Sequence, residues 1–534
     1  MAEYAPMNRI QALGAAKAHI EAGRFREAHG ICMALLRADP RDADAYSVLG
    51  LIAFRNQVYD KAADLFGRAS TLAPSVAEHW VLLARCQLGL NRASAVSTSC
   101  SRALDLAPAD PEILDQLGVI LTRIGRHADA LNCFESAVEG APKSSNYWTN
   151  LGWGRQFAGD LSGAEAAYRM AVSLDWKAER AHLALVQIAR QTEADNAAPA
   201  LERLFEEAGA DGVRKLHLGH ALAKTMEDLG QYERSMAWLG RAKAARLAGG
   251  RAAASGIEPL FEAAGNLVKS SGPDVGPPTG PVFVLGLPRS GTTLVDRIIS
   301  SHSKMTSLGE PMTFALQARR LAPSPAEGLL DAAALKAADL TPVGSLGQAY
   351  ISASREAAGG LRFVDKTPLN LLFNGLIVRA LPESRIICLR RHPVASCLAI
   401  YKNLFAADFQ HYAFTADLES TARYVVAFNR FADQCRAALD PEQYTEVRYE
   451  DILADQEGVS RRLLSFCGLD WEDACLRFEH NAAPVATASS IQVRQPLYQS
   501  SRDRWRDFGE TLEPALTIFR SAGLIDDDGE ILRP

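Results

Sequence analysis

A chain of 534 residues with 22% charged and 48% apolar residues has the composition of a folded globular protein of two or three domains, not of a disordered one. Its net charge of -6 argues against a general nucleic-acid or membrane-surface binder. The longest apolar run, near 281–287, is far short of the roughly 20 residues a bilayer requires. The opening Met-Ala-Glu-Tyr-Ala-Pro lacks a basic segment followed by an apolar run, so neither a membrane span nor a secretory leader is expected. Nine scattered cysteines predict reduced thiols, a cytoplasmic setting and no zinc site.

The first half is periodic. Pro40, Pro74, Pro108 and Pro142 stand 34 residues apart, a coincidence expected by chance about once in 10⁴ trials. Leu49-Gly50, Leu83-Ala84, Leu117-Gly118 and Leu151-Gly152 keep the same step, as do Ala28, Ala62, Val96, Ala130 and Ala164. Small residues let paired helices approach closely. Gly23, Gly125 and Gly159 sit where a helix hairpin turns, and proline opens the next unit at little cost. The pattern resembles the tetratricopeptide repeat, with five clear units from about Gln11 to Asp175. Trp176 takes the next proline place, and a further helical pair is expected with Leu229-Gly230-Gln231-Tyr232 at its turn. Such a solenoid offers a groove for a peptide or protein partner; a scaffold or dimerisation arm fits the periodicity equally well.

Residues 269–280 read KSSGPDVGPPTG, a composition that neither a helix nor a central strand tolerates. The expected organisation is therefore an all-α solenoid over 1–250, a linker over 251–280 and an α/β domain with a central parallel sheet over 281–534. Pro281 to Gly286 reads as a buried parallel strand, and Thr293 to Ser300 as an amphipathic helix. Between them lies Leu287-Pro288-Arg289-Ser290-Gly291-Thr292-Thr293. Strand, glycine-bounded loop and helix is the context in which backbone N–H groups hold an anion. Gly286 and Gly291 have the spacing of a Walker A loop, but Thr292 stands in the place of its lysine. The next strand, Arg385 to Arg390, carries no acidic residue for magnesium. Both absences argue against a triphosphate enzyme. Arg289, inside the loop, still supplies a fixed positive charge.

PVFVLGLPRSGTTLVDRIISSH resembles the phosphosulfate-binding segment of sulfotransferases, above all the tyrosylprotein group. Repeats followed by this segment are similar to bacterial tetratricopeptide-sulfotransferase proteins. The resemblance implies a P-loop-like sulfotransferase domain, with 3′-phosphoadenosine 5′-phosphosulfate as co-substrate and no metal. It implies that Pro288, Arg289, Ser290, Gly291, Thr292 and Thr293 hold the phosphosulfate. Glu310, in Gly309-Glu310-Pro311, maps onto the family's general base, a role that fits the proton an acceptor hydroxyl must lose. Lys366, in Asp365-Lys366-Thr367-Pro368, maps onto the lysine at the reacting sulfuryl group, with Asp365 placed to hold it. Alone, each string reads first as a surface feature, a solvated or helix-capping Glu310 and a surface Lys366 before a proline turn.

Arg391 takes the place of the arginine that grips the 3′-phosphate, with Arg390 adjacent. Here the chain departs from the family: Ala399 stands where serine is usual, and Ser396 or Lys402, each almost one helical turn away, are the substitutes. Tyr449-Glu450-Asp451 matches a family segment and receives no chemistry. In the tail Thr487–Tyr498, Gln495 replaces a lysine and Arg494 is the alternative cation. The function implied is transfer of a sulfuryl group to a peptide, protein or small-molecule hydroxyl, tyrosine among them. The rival is a tetratricopeptide adaptor with an inactive or kinase-like nucleotide-binding domain.

Overall fold

In the computed structural model the described residues are 8–90, 92–247, 256–269, 274–322, 330–405, 410–481, 483, 493, 497 and 502–532. Packing divides the chain into two compact units, Met1–Ala181 and His182–Pro534.

The described part of the first unit holds five helical hairpins. They are Arg9–Glu21 with Phe25–Ala38, Ala43–Arg55 with Tyr59–Leu72, Ala77–Gly89 with Ala93–Asp105, Pro111–Arg123 with His127–Gly140, and Ser145–Ala158 with Leu161–Leu174. The four prolines lie between hairpins, as their missing N–H requires. Two residues later in three of the repeats, Asp42, Asp110 and Ser144 accept backbone N–H groups of the next helix, the usual capping chemistry. Ala28, Ala62, Val96, Ala130 and Ala164 are all buried.

One pairing ties the two helices of each hairpin. At a step of 34, the first helices carry Ala16, Gly50, Ala84, Gly118 and Gly152, and the second carry Cys32, Phe66, Cys100, Phe134 and Tyr168. A Cβ on Gly50, Gly118 or Gly152 would stand 2.7, 2.6 or 2.3 Å from the ring of Phe66, Phe134 or Tyr168. Where alanine takes the glycine place, cysteine takes that of the ring. Side-chain volume is thus traded across the interface, as close packing demands. Gly152→Ala should overpack against the buried Tyr168 and cost about 1–3 kcal/mol in urea unfolding. An unchanged midpoint would mean that the ring has room to move.

The second unit contains a five-stranded, wholly parallel sheet. Its strands are β1 (Val282–Gly286), β2 (Met305–Ser307), β3 (Arg362–Asp365), β4 (Arg385–Arg390) and β5 (Tyr444–Arg448), in the order β2-β3-β1-β4-β5. Every residue of β1 is buried, which explains its unbroken apolar run. One face packs on Leu294, Val295, Ile298 and Ile299 of the helix Thr292–Ser300; the other meets Phe314, Tyr350 and Phe373.

The stretch 251–280, expected as linker, includes the helix Ile257–Lys269. Its Leu260, Phe261, Ala264, Leu267 and Val268 join the larger sheet core. Their three- and four-residue spacing makes one apolar face, and burial of that face outweighs the neighbouring Gly and Pro. Gly276 and Gly280 then donate to the carbonyls of Pro382 and Glu383, strapping the chain to the turn before β4. The expected helical pair is present as Gly212–Asp228 and Tyr232–Leu247, within the same compact unit as the sheet. All nine cysteines are buried and unpaired, and no helix among the described residues is long and apolar enough to cross a membrane.

Candidate active site

The site is built at the carboxyl edge of the sheet, where side chains following adjacent parallel strands converge. After β1 the chain enters the loop Leu287–Gly291 and then the helix Thr292–Ser300. Two glycines permit this path. Gly286 has φ +149, and a Cβ there would stand 2.8 Å from the Leu389 carbonyl oxygen. Gly291 has φ +105, and a Cβ there would stand 2.6 Å from the Tyr449 ring. Arg289 itself adopts φ 66, an uncommon conformation for a side-chain-bearing residue. The first N–H groups of the helix have no carbonyl within it to bond, and its dipole favours an anion there. Ser290 is 1% exposed and its Oγ has no hydrogen-bond partner. A buried orphan hydroxyl in such a loop is a donor awaiting a ligand. Thr292 and Thr293 are buried in the first turn, and Pro288 is buried in the loop.

After β2 and β3 the chains remain in register. Leu308 N–H donates to the Val364 carbonyl, and Lys366 N–H to that of Gly309, each at 2.9 Å. This ladder brings Glu310 beside Lys366, whose Nζ donates to Glu310 Oε1 at 2.5 Å. Lys366 is 1% exposed while the Glu310 side chain is 44% exposed, so the carboxylate faces the opening and the ammonium lies beneath it. The two candidates, 56 residues apart in sequence, are therefore one ion pair.

Asp365 does not hold Lys366 through any hydrogen bond. Its carboxyl accepts from Thr367 N–H at 3.0 Å, Asn370 Nδ2 at 3.2 Å and Tyr350 OH at 2.9 Å. Neighbouring residues of a strand point to opposite sides, so Asp365 turns into the core as Lys366 turns to the site. Burial pushes the Asp365 carboxyl up, and those donors oppose the rise.

The end of β4 and the residue after it are two arginines with different fates. Arg390 is consumed by Asp433 at 2.7 Å, Glu446 at 3.2 Å and Asn429 at 2.9 Å. Arg391 instead turns to the loop. Its Nη1 donates to the Arg289 carbonyl at 3.0 Å, and its guanidinium lies 4.8 Å from the Tyr449 ring centroid. Ser396, on the following helix Pro393–Tyr401, is fully buried with an unpartnered Oγ. Lys402 is paired with Glu227, a buried carboxylate of the helix Gly212–Asp228. Arg494 and its neighbour Gln495 lie outside the described residues.

Two features of the candidate site were given no chemistry from the sequence. Tyr449 forms the floor under Gly291 and Arg391, and Glu450 accepts the His392 N–H at 3.0 Å. Their place in the family-matched segment Tyr449-Glu450-Asp451 was the available signal. The other is Asp296, buried on the loop helix. A charged residue inside an apolar helical run marked it.

Residues 281–473 match the model of the sulfotransferase family, and residues 13–75 match a tetratricopeptide repeat model. An uncharacterized protein of Aquifex aeolicus (strain VF5) is 33% identical over 260 residues, 48% of this chain and 34% of that protein. A protein-tyrosine sulfotransferase of Drosophila melanogaster is 23% identical over 239 residues, 42% of this chain and 46% of that protein. The chain thus spans between a third and a half of the length of these curated relatives. Among solved structures, the sulfotransferase domain from the curacin biosynthetic pathway aligns with 18% identity and a TM-score of 0.32, over 46% of this chain and 98% of that one. YrrB, a TPR protein with an unusual peptide-binding site, aligns with 20% identity and a TM-score of 0.27, over 33% of this chain and 90% of that one.

Proposed function

From the premise that residues 281–473 are a domain of the sulfotransferase family joined to tetratricopeptide repeats, we propose that this protein moves a sulfuryl group from 3′-phosphoadenosine 5′-phosphosulfate to an acceptor hydroxyl. The observation that carries the reading is the Glu310–Lys366 pair beside an anion-binding loop at one sheet edge. Glu310 takes the proton of the acceptor hydroxyl. The oxygen attacks sulfur as the bond from sulfur to the bridging oxygen breaks. The electron pair leaves on the 5′-phosphate, where Lys366 and the loop N–H groups meet the developing charge. Ser290, with Pro288, Arg289, Gly291, Thr292 and Thr293, cradles the phosphosulfate. Arg391, whose guanidinium turns to the loop, holds the 3′-phosphate, with Ser396 on the helix that follows. The likeness of the domain to a protein-tyrosine sulfotransferase supports a phenolic hydroxyl as acceptor, and the repeats a protein partner.

The test is incubation with labelled 3′-phosphoadenosine 5′-phosphosulfate and tyrosine peptides, phenols and sugars, beside direct binding of the 3′,5′-bisphosphate product. Arg391→Ala should weaken that binding by about 10- to 100-fold, the worth of charge-assisted hydrogen bonds to a phosphate. Transfer to none of the acceptors, with no bisphosphate binding, would end the enzyme reading. Binding of ATP in its place would favour a kinase-like domain.

A further inference from the structure

The residue that follows Arg391 is held from several sides. His392 is the N-cap of the helix Pro393–Tyr401, a position that favours Ser, Thr, Asp or Asn because their oxygens accept a free backbone N–H. The His392 side chain makes no such bond. It is buried instead, its imidazole stacked on Trp505 with 5.1 Å between ring centroids and 20° between planes. Its Nε2 lies 2.9 Å from the Gly529 carbonyl oxygen. Burial pushes the imidazole pKa down, so the ring is neutral at about pH 7. A carbonyl can only accept, which puts the one ring proton on Nε2. The His392 backbone N–H is taken by Glu450 at 3.0 Å.

Trp505 is set in turn by its own neighbours. It belongs to the 3-10 segment Arg504–Leu512 and is buried. The Arg506 guanidinium lies 4.4 Å from its ring centroid and pairs with Glu530. Gly529 sits in a turn closed by two bonds, Asp526 N–H to the Glu530 carbonyl at 2.9 Å and Gly529 N–H to the Asp526 carbonyl at 3.1 Å. Its φ is +82, and a Cβ there would stand 2.7 Å from the indole Cη2, so glycine alone lets this backbone pass the ring and reach His392. His392 Nδ1 and Trp505 Nε1 are buried without a hydrogen-bond partner, a penalty that an apolar pair would avoid. An apolar pair would lack direction, however. The stack fixes the imidazole plane, and the bond to Gly529 fixes its rotation. The residue so fixed is joined to Arg391 by one peptide bond. A guanidinium grips two phosphate oxygens only when its planar fork is aimed, and such aim depends on a rigid support.

We infer that Trp505 is a positioning residue: stacked on His392 and backed by Gly529, it fixes the turn from β4 into the helix Pro393–Tyr401 so that the Arg391 guanidinium is aimed at the 3′-phosphate of the donor. This rests on the sulfotransferase reading and on the place of Arg391 in it. Trp505 acts through His392 and Arg391 and takes no part in the transfer.

The test measures, in the full chain, the affinities for adenosine 3′,5′-bisphosphate and for adenosine 5′-monophosphate, which lacks the 3′-phosphate. Trp505→Leu should weaken bisphosphate binding by about fivefold or more, a part of what the Arg391 contact is worth, and leave the monophosphate within about twofold. Trp505→Phe, which keeps a ring to stack on, should retain most of the bisphosphate affinity. In an Arg391→Ala background, Trp505→Leu should change bisphosphate affinity by less than about twofold, because the two residues act on one contact. Equal losses for both nucleotides, an undiminished loss in the Arg391→Ala background, or no loss at all overturns the inference. If Trp505→Leu does not fold, His392→Ala decides by the same two affinities, and failure of both to fold also overturns it. Wild type that binds no bisphosphate would mark failure of the sulfotransferase reading, and the inference would fall with it.

Discussion

Replacing Lys366 with methionine is expected to slow sulfuryl transfer by about 10²–10³-fold, the range seen when one donor to a developing oxyanion is removed. Methionine keeps much of the buried stem and deletes only the charge. Glu310, left without its partner, is 44% exposed and is solvated by water, so the fold should stand. Bisphosphate binding should persist, because the loop and Arg391 supply other contacts. The measurement is kcat with labelled donor beside product affinity. A rate within about threefold of wild type would remove Lys366 from the chemistry, since even a weak transition-state contact is worth more.

Glu227→Ala should produce the largest loss of stability. The Glu227 side chain is 2% exposed and meets Lys402 and Arg504, the latter at 2.7 Å. It joins the helix Gly212–Asp228 to the end of the helix Pro393–Tyr401 and to the C-terminal 3-10 segment. Removing it leaves Lys402, 24% exposed, without its counter-charge. Burial already pushes the Lys402 ammonium down, with Glu227 opposing. Breaking a buried pair costs about 3–5 kcal/mol, and about 3 is expected here because Arg504 is half exposed and can turn to water. Urea unfolding followed by helical circular dichroism would measure it. A change below about 1 kcal/mol would show that the three elements are held by packing alone. The contrast with Lys366→Met has a physical basis: which partner remains, and how wet it is, decides whether a broken ion pair damages the fold or only the chemistry.

Much of the candidate site is legible in the sequence. The strand, the glycine-bounded loop and the loop helix follow from local sterics, and they stand where the motif places them. Glu310, Lys366 and Arg391 are found at one sheet edge. Asp365 and Arg390 misled for a common reason. Each is one residue from a candidate site residue, and alternation along a strand sends it elsewhere, Asp365 to Tyr350 and Asn370, Arg390 to Asp433 and Glu446. The helix Ile257–Lys269 was hidden by the Gly- and Pro-rich residues beside it, although its apolar spacing was there to be counted. The exchange of Gly-ring for Ala-Cys pairs was also present in the sequence. It becomes visible only when columns 16 residues apart are read together, and nothing but packing says that they touch.

What the sequence by itself determined is local: the 34-residue period and the path of the loop from β1 into its helix. Both depend on backbone sterics and hydrogen bonds within a few turns of chain. Tertiary structure alone decided that the ends of β2, β3, β1 and β4 lie side by side, which makes an ion pair of residues 56 positions apart and turns Arg391 to the loop while consuming Arg390. The physical reason is that parallel strands are joined by crossovers, so neighbours in the sheet are distant in the chain. Burial then decides which side chains keep their charge facing the site.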